Sequence, residues 1–131
     1  MEHGSPAANK KLVAEFIQAF YNDKDFSRAR ELMAEDFVNH RPDVGTGREG
    51  TLTAFQEQVA ANLPEFTLEV VRSGADEDLV WTHNLLRPSP GAAPMVSVDI
   101  FRVRDGRVCE HWDVAQPIPD GIEPGHLVGD A

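Results

Sequence analysis

The chain has 131 residues, 41% of them hydrophobic and 26% charged, which is the balance of a globular domain rather than of a disordered segment. Its 22 Asp and Glu against 12 Lys and Arg give a formal net charge of -10. That field repels phosphate backbones and anionic membranes, and so argues against nucleic acid and lipid surfaces as partners. A small anionic ligand held by a local arginine stays open. Cys109 is the single cysteine, which excludes an intrachain disulfide and a Cys-based zinc site. No apolar run approaches the ~18 residues of a membrane span. The opening Met1-Glu2-His3-Gly4-Ser5 lacks the basic and apolar regions of a secretory leader, so a cytoplasmic location is expected.

In chain order, Ser5-Pro6 has the form of a helix N-cap followed by proline at the first helical position. Leu12, Val13, Phe16, Ile17 and Phe20 then recur at helical spacing and predict an amphipathic helix ending near Asn22-Asp23. A short second helix is expected from Phe26 to Met33, with Ala29, Leu32 and Met33 inward. Phe37 to His40 is a short extended piece that Pro42 stops. Gly45, Gly47 and Gly50 lead into a third helix, whose buried stripe is Leu52, Phe55, Val59 and Leu63 before Pro64.

The period then changes from 3.6 to 2. Strands are expected at Phe66 to Ser73, Leu79 to Arg87, Met95 to Arg104 and Arg107 to Gln116. Asp105-Gly106 is a hairpin signal. Beyond Pro117, prolines and glycines interrupt the chain, so residues 120–131 are expected to be irregular. Helices first and antiparallel strands afterwards give one α+β domain over residues 1–131, with a core at about 9–119.

Asp99 stands in a strand otherwise suited to burial, sharing a face with Met95, Ser97, Phe101 and Val103. A core-facing carboxylate there is a plausible proton shuttle; the plainer reading is an exposed or arginine-paired group. Its companions depend on the hairpin. A two-residue type I′ loop sets Trp112 opposite Asp99 and sends His111 to the other face. A three-residue loop with Gly106 in a bulge sets His111 opposite Asp99 and Asp113 opposite Ser97, with Arg102, Glu110 and Trp112 behind. The bulged form is preferred because it gathers one acid/base set.

His83 and His40 fall in or beside strands and join the candidates. Three histidines with Asp99 or Asp113 could form a metal shell, but no local pair preorganises one, so no metal is expected. Trp81 and Tyr21 could wall a pocket or simply fill the core. Cys109 reads as a small core residue.

Phe20 to Asp25, Phe37 to His40, Val98 to Val103 and Gly106 to Val114 together resemble SnoaL-like proteins, the polyketide-cyclase branch of the ketosteroid-isomerase superfamily. The resemblance implies a cone: a strongly curved antiparallel sheet packed around three N-terminal helices, with a small-molecule pocket at the open end, paired through the sheet as a homodimer. It implies a cofactor-free acid/base enzyme acting on a small carbonyl compound, of aldol-condensation (cyclase), isomerase or lyase type. Asp99 would abstract a proton, His83 or His111 would donate one, and His40, Tyr21, Trp81, Phe101 and Asp113 would contact the ligand. The alternative is a ligand-binding or stress-related accessory domain with the same pocket and no chemistry, its Asp99 held by Arg102 or Arg104.

Overall fold

The computed structural model describes residues 4–41 and 45–129. Pro42, expected to stop the first extended piece, lies outside them, as do Met1 to His3 and the last two residues of the tail. Ser5 Oγ accepts the Ala8 N–H at 3.1 Å and Pro6 opens α1 (Pro6–Ile17). The helix then widens into a π turn (Gln18–Asp23) before α2 (Phe26–Leu32). Met33 does not close α2 but begins β1 (Met33–Asn39).

α3 (Gly47–Phe55) also continues as a π turn (Gln56–Ala60). It stops short of Pro64, and of its expected stripe only Leu52 is fully buried. Phe55, Val59 and Leu63 are half-buried, because two of them face a cavity. The strands are β2 (Thr67–Asp76), β3 (Leu79–Arg87), β4 (Met95–Arg104) and β5 (Arg107–Pro117). The tail, expected to be irregular, carries one short helix, α4 (Pro124–Val128). Val128 and Ile118 pack there with Leu85, which gives the segment an apolar reason to order.

The five strands form one curved, unclosed sheet in the order β1-β5-β4-β3-β2. Four of them are antiparallel neighbours. The departure from expectation is β1, which joins β5 in parallel. The main core lies between the helices and the concave face. Val13, Phe16 and Ile17 of α1 meet Leu68, Val80, Phe101, Val103 and Val108. Phe16 and Phe101 stand edge to face with centroids 5.8 Å apart, each contributing about 2 kcal/mol by leaving water.

The β4–β5 hairpin corrects the register. Arg104 pairs with Arg107, and Asp105 and Gly106 both have positive φ (54° and 73°), so the loop is the two-residue type I′ form rather than the three-residue form. A bulge follows. Val103 pairs with Val108 but Arg102 pairs with Glu110, which leaves Cys109 without an opposite residue. Asp99 therefore faces Asp113, not His111, and His111 faces Phe101. The division of faces that the bulged loop was meant to achieve still results. His111 and Asp113 lie inside, while Arg102, Glu110 and Trp112 lie outside.

Cys109 thus acts by its place in the count of residues more than by its side chain. Cys109→Ala should keep the register and cost about 1 kcal/mol of lost packing. Inserting one residue after Cys109 should reverse the facing of His111 and Asp113 and abolish cooperative unfolding in urea, followed by circular dichroism, whereas deleting Cys109 should only close the bulge and keep the pairs on either side of it. An insertion variant that unfolds like the wild type would show that the register is fixed elsewhere.

Candidate active site

Between the helices and the concave face lies a cavity of about 280 Å³, near the lower end of the ~300–1,000 Å³ range of small-molecule pockets. Its helical side is apolar and aromatic: Phe20 and Tyr21 come from the first π turn, and Phe55 and Val59 from the end of α3 and the second. Phe66 and Leu68 continue that wall on the β2 side. The polar end comes from the sheet, where Ser97 and Asp99 of β4, His111 and Asp113 of β5, and Asn39 and Arg41 at the end of β1 line the space.

Asp99 is 3% exposed, yet its carboxylate is well supplied. His111 Nε2 lies 2.7 Å from Oδ1, while Asn84 Nδ2 and Ser97 Oγ each donate to Oδ2 at 2.8 Å. Three of the roughly four acceptor positions of a carboxylate are thereby occupied. His111 is held on its other side by Asn39. That Oδ1 lies 3.4 Å from Nδ1 and accepts the Arg41 N–H at 3.1 Å, so both ring nitrogens face oxygen atoms. Phe101 stacks on the His111 ring at 4.7 Å. Fully buried, Phe101 supports His111 from behind rather than touching the cavity.

Asp113 is different. It sits beside Asp99 in register, and among the described residues its only hydrogen-bond partner is Arg41, whose Nη1 lies 3.4 Å from Oδ2. Asp99, His111 and Asp113 present polar atoms all within 4.8 Å of one another. Tyr21 completes the set from the helical side. Burial pushes its phenol well above the ordinary 10.0, the negative charges of Asp99 and Asp113 push it further, and Arg41 opposes them.

Besides Phe101, three expected site residues are placed elsewhere. His83 pairs with Val98 on the convex face and its Nδ1 lies 2.6 Å from Arg72 Nη1. Alternation along β3 turns Thr82 and Asn84 inward instead. Trp81 lies on that same outer face, 42% exposed, against Gly74, where a Cβ would come within 2.6 Å of the indole. His40 also faces outward. It stacks on Trp112 at 4.8 Å and bonds Glu110 Oε2 at 2.7 Å. Burial raises the Glu110 carboxyl, but its bonds to His40 and Arg102 outweigh that and hold it below the ordinary range. The three histidines therefore do not converge on a metal shell. Nor do Arg102 or Arg104 hold Asp99: Arg102 pairs with Asp78 and Glu110, and Arg104 with Asp36.

Asn84 and Asn39 were not identified as site residues from sequence, and Arg41 reads there as either pairing an anionic group or facing water. For Asn84 a signal existed, because Thr82 and Asn84 share one parity of β3 just as Ser97 and Asp99 share one parity of β4.

No curated protein matches the chain. Among solved structures, IdmH from Streptomyces antibioticus, a candidate polyketide cyclase, is 30% identical with a TM-score of 0.68, the match covering 82% of this chain and 91% of that one. AclR from Streptomyces galilaeus, a candidate hydroxylase, is 26% identical with a TM-score of 0.70, covering 86% and 91%. A candidate ketosteroid isomerase from Kribbella flavida shares the fold, with a TM-score of 0.75 at 21% identity over 96% and 90% of the two chains. Residues 13–111 match the SnoaL-like domain, and with this fold the chain belongs to the SnoaL-like family.

Proposed function

We propose that the protein is a cofactor-free acid/base enzyme that removes a proton next to the carbonyl of a small, largely apolar compound. The observation that carries this reading is the pairing of a carboxylate with open acceptor positions, Asp113, and a phenol with no hydrogen-bond partner among the described residues, Tyr21, at the polar end of an otherwise apolar cavity. Asp113 takes the proton as the C–H bond breaks, and the electron pair moves onto the carbonyl oxygen. Tyr21 O–H is the donor that meets the developing charge, and His111, both of whose ring nitrogens are engaged, fixes Asn39 and with it the Arg41 that bonds Asp113. Asp99 is the partner that orients His111, a division of labour that follows from how fully its own oxygens are engaged. Bond formation, bond cleavage or reprotonation at the resulting enolate carbon then depends on the substrate, which is where cyclase, lyase and isomerase reactions diverge.

The outer sheet face supports pairing with a second copy of the chain. Trp81 and Val114 (42% and 69% exposed) lie there across Ile100 and Val98, an apolar patch that association would cover.

Proton removal is testable without the natural substrate, by following exchange of the α-hydrogens of β-tetralone for deuterium from heavy water by NMR. Asp113→Asn and Asp99→Asn should each lower the exchange rate by about 10²–10⁴-fold. Formate should restore exchange in Asp113→Ala but not in Asp99→Ala. A variant that keeps more than about a third of the wild-type rate removes that residue from the mechanism.

Tyr21 is the only tyrosine, so near-ultraviolet absorbance reads its phenolate alone. The folded value is raised, so its stabilising effect is complete below pH 10.0 and is lost as pH rises above it. Phenolate should therefore appear only together with alkaline unfolding. Ionisation near pH 10.0 in protein that is still folded would contradict the donor role. For the pairing, Val114→Arg should convert a wild-type dimer to monomer in sedimentation velocity, and a wild-type monomer at every concentration would remove it.

A further inference from the structure

The first π turn is tied to β2 by side chains rather than by a shared sheet. Asn22 Nδ2 donates to Leu68 O at 3.0 Å and Leu68 N donates to Asn22 Oδ1 at 2.8 Å. This two-bond ring is the exchange that a neighbouring strand would make with its backbone. Gln18 Oε1 holds the same Asn22 amide from the preceding turn, at 3.2 Å. Two residues on, Lys24 has φ 55°, a conformation disfavoured for a residue with a Cβ. That conformation turns its Nζ back to donate to Phe66 O at 2.7 Å and Tyr21 O at 3.2 Å.

The two clasps follow directly on Tyr21, and the backbone they grip belongs to Phe66 and Leu68, which line the same cavity. A regular α-helical turn would end without this reach. The wider π turn, a form often found at functional sites, keeps Tyr21 in the cavity while Asn22 meets β2.

We propose that Asn22 and Lys24 are positioning residues that fix the Tyr21 hydroxyl beside Asp99 and Asp113 by clasping the Phe66–Leu68 backbone. This rests on the proton-transfer reading for its effect on turnover, though not for its effect on Tyr21 itself. A half-buried amide and ammonium against carbonyls could serve the fold alone, and the distinction lies in whether their loss acts through Tyr21.

The test is a double-mutant cycle on β-tetralone exchange, with the folded state checked by circular dichroism. Tyr21→Phe should lower the rate about a hundredfold, and Asn22→Ala about tenfold through misplacement of the hydroxyl. The double variant should be no slower than Tyr21→Phe alone. An Asn22→Ala effect of equal size in both backgrounds overturns the proposal. If Asn22→Ala does not fold, Lys24→Met removes the grip on Phe66 and leaves the Asn22 ring. It should follow the same non-additive pattern, with Lys24→Arg restoring the rate.

Alkaline titration of the phenol gives a readout that needs no activity. Loosening the clasp should bring Tyr21 back towards its ordinary 10.0 in folded protein, whereas an unchanged titration overturns the proposal. If the wild type exchanges nothing but the phenol shift is seen, the proton-transfer reading falls and the positioning role stands.

Discussion

The unpaired residue at Cys109 shifts β5 by one position against β4, and each functional side chain beyond it owes its facing to that shift. Side chains alternate along a strand with period 2, so an unbroken type I′ hairpin would direct Glu110 and Trp112 at Asp99 and send His111 and Asp113 to the convex side. The bulge exchanges the two sets. It also allows Val108 and Cys109, adjacent in sequence, both to be buried, which strict alternation forbids. The ionic pairs that Arg102 makes with Glu110 and Asp78 can then form outside, where the cost of desolvating charges is small. Inside, a single cluster forms in which each charged group has a neutral or opposite partner.

That cluster shows how a carboxylate survives at 3% exposure. An isolated buried charge would be expensive, but Asp99 accepts from an amide, a hydroxyl and an imidazole at once, and charge-assisted bonds of this kind are the strong ones. The same bonds remove its freedom. Asp99 is poorly placed to take a further proton and well placed to hold His111 between itself and Asn39. Asp113, bonded among the described residues only by the exposed Arg41, keeps what Asp99 has given up. Two aspartates side by side in one register thus have different bonding surroundings set by their neighbours alone.

Much of the fold was legible because its signals are local. Helical spacing in α1, the bounds of β3 and β4, and the inward parity of Asp99 with Ser97 and Phe101 all follow from short windows of sequence. The facing of β3 was not legible. Both parities of Leu79 to Leu86 mix apolar and polar residues, and the resemblance pointed to His83 while Trp81 offered an apolar wall. The concave side of β3 instead faces Ser97 and Asp99 and takes Thr82 and Asn84, whose size and polarity suit that polar cluster. The Cys109 bulge was hidden for a related reason. A two-residue loop with a later bulge and a three-residue loop both give His111 the inward face, and composition around Asp105-Gly106 does not tell them apart.

His40 was also misplaced, by one residue and for an instructive reason. Because β1 runs parallel to β5, its end meets the chain at His111: Asn39 pairs with His111, and His40 N donates to His111 O at 3.0 Å. Pleating then places the residues on either side of His40 in the cavity and His40 itself outside. Asn39 reaches His111 and Arg41 reaches Asp113, while His40 stacks on Trp112 and bonds Glu110 on the convex side. The short strand therefore holds both faces of β5, with polar contacts at the site on one side and an ion pair with a stacked ring on the other. A histidine conspicuous in the sequence marked the right strand, but it is its two neighbours that line the cavity.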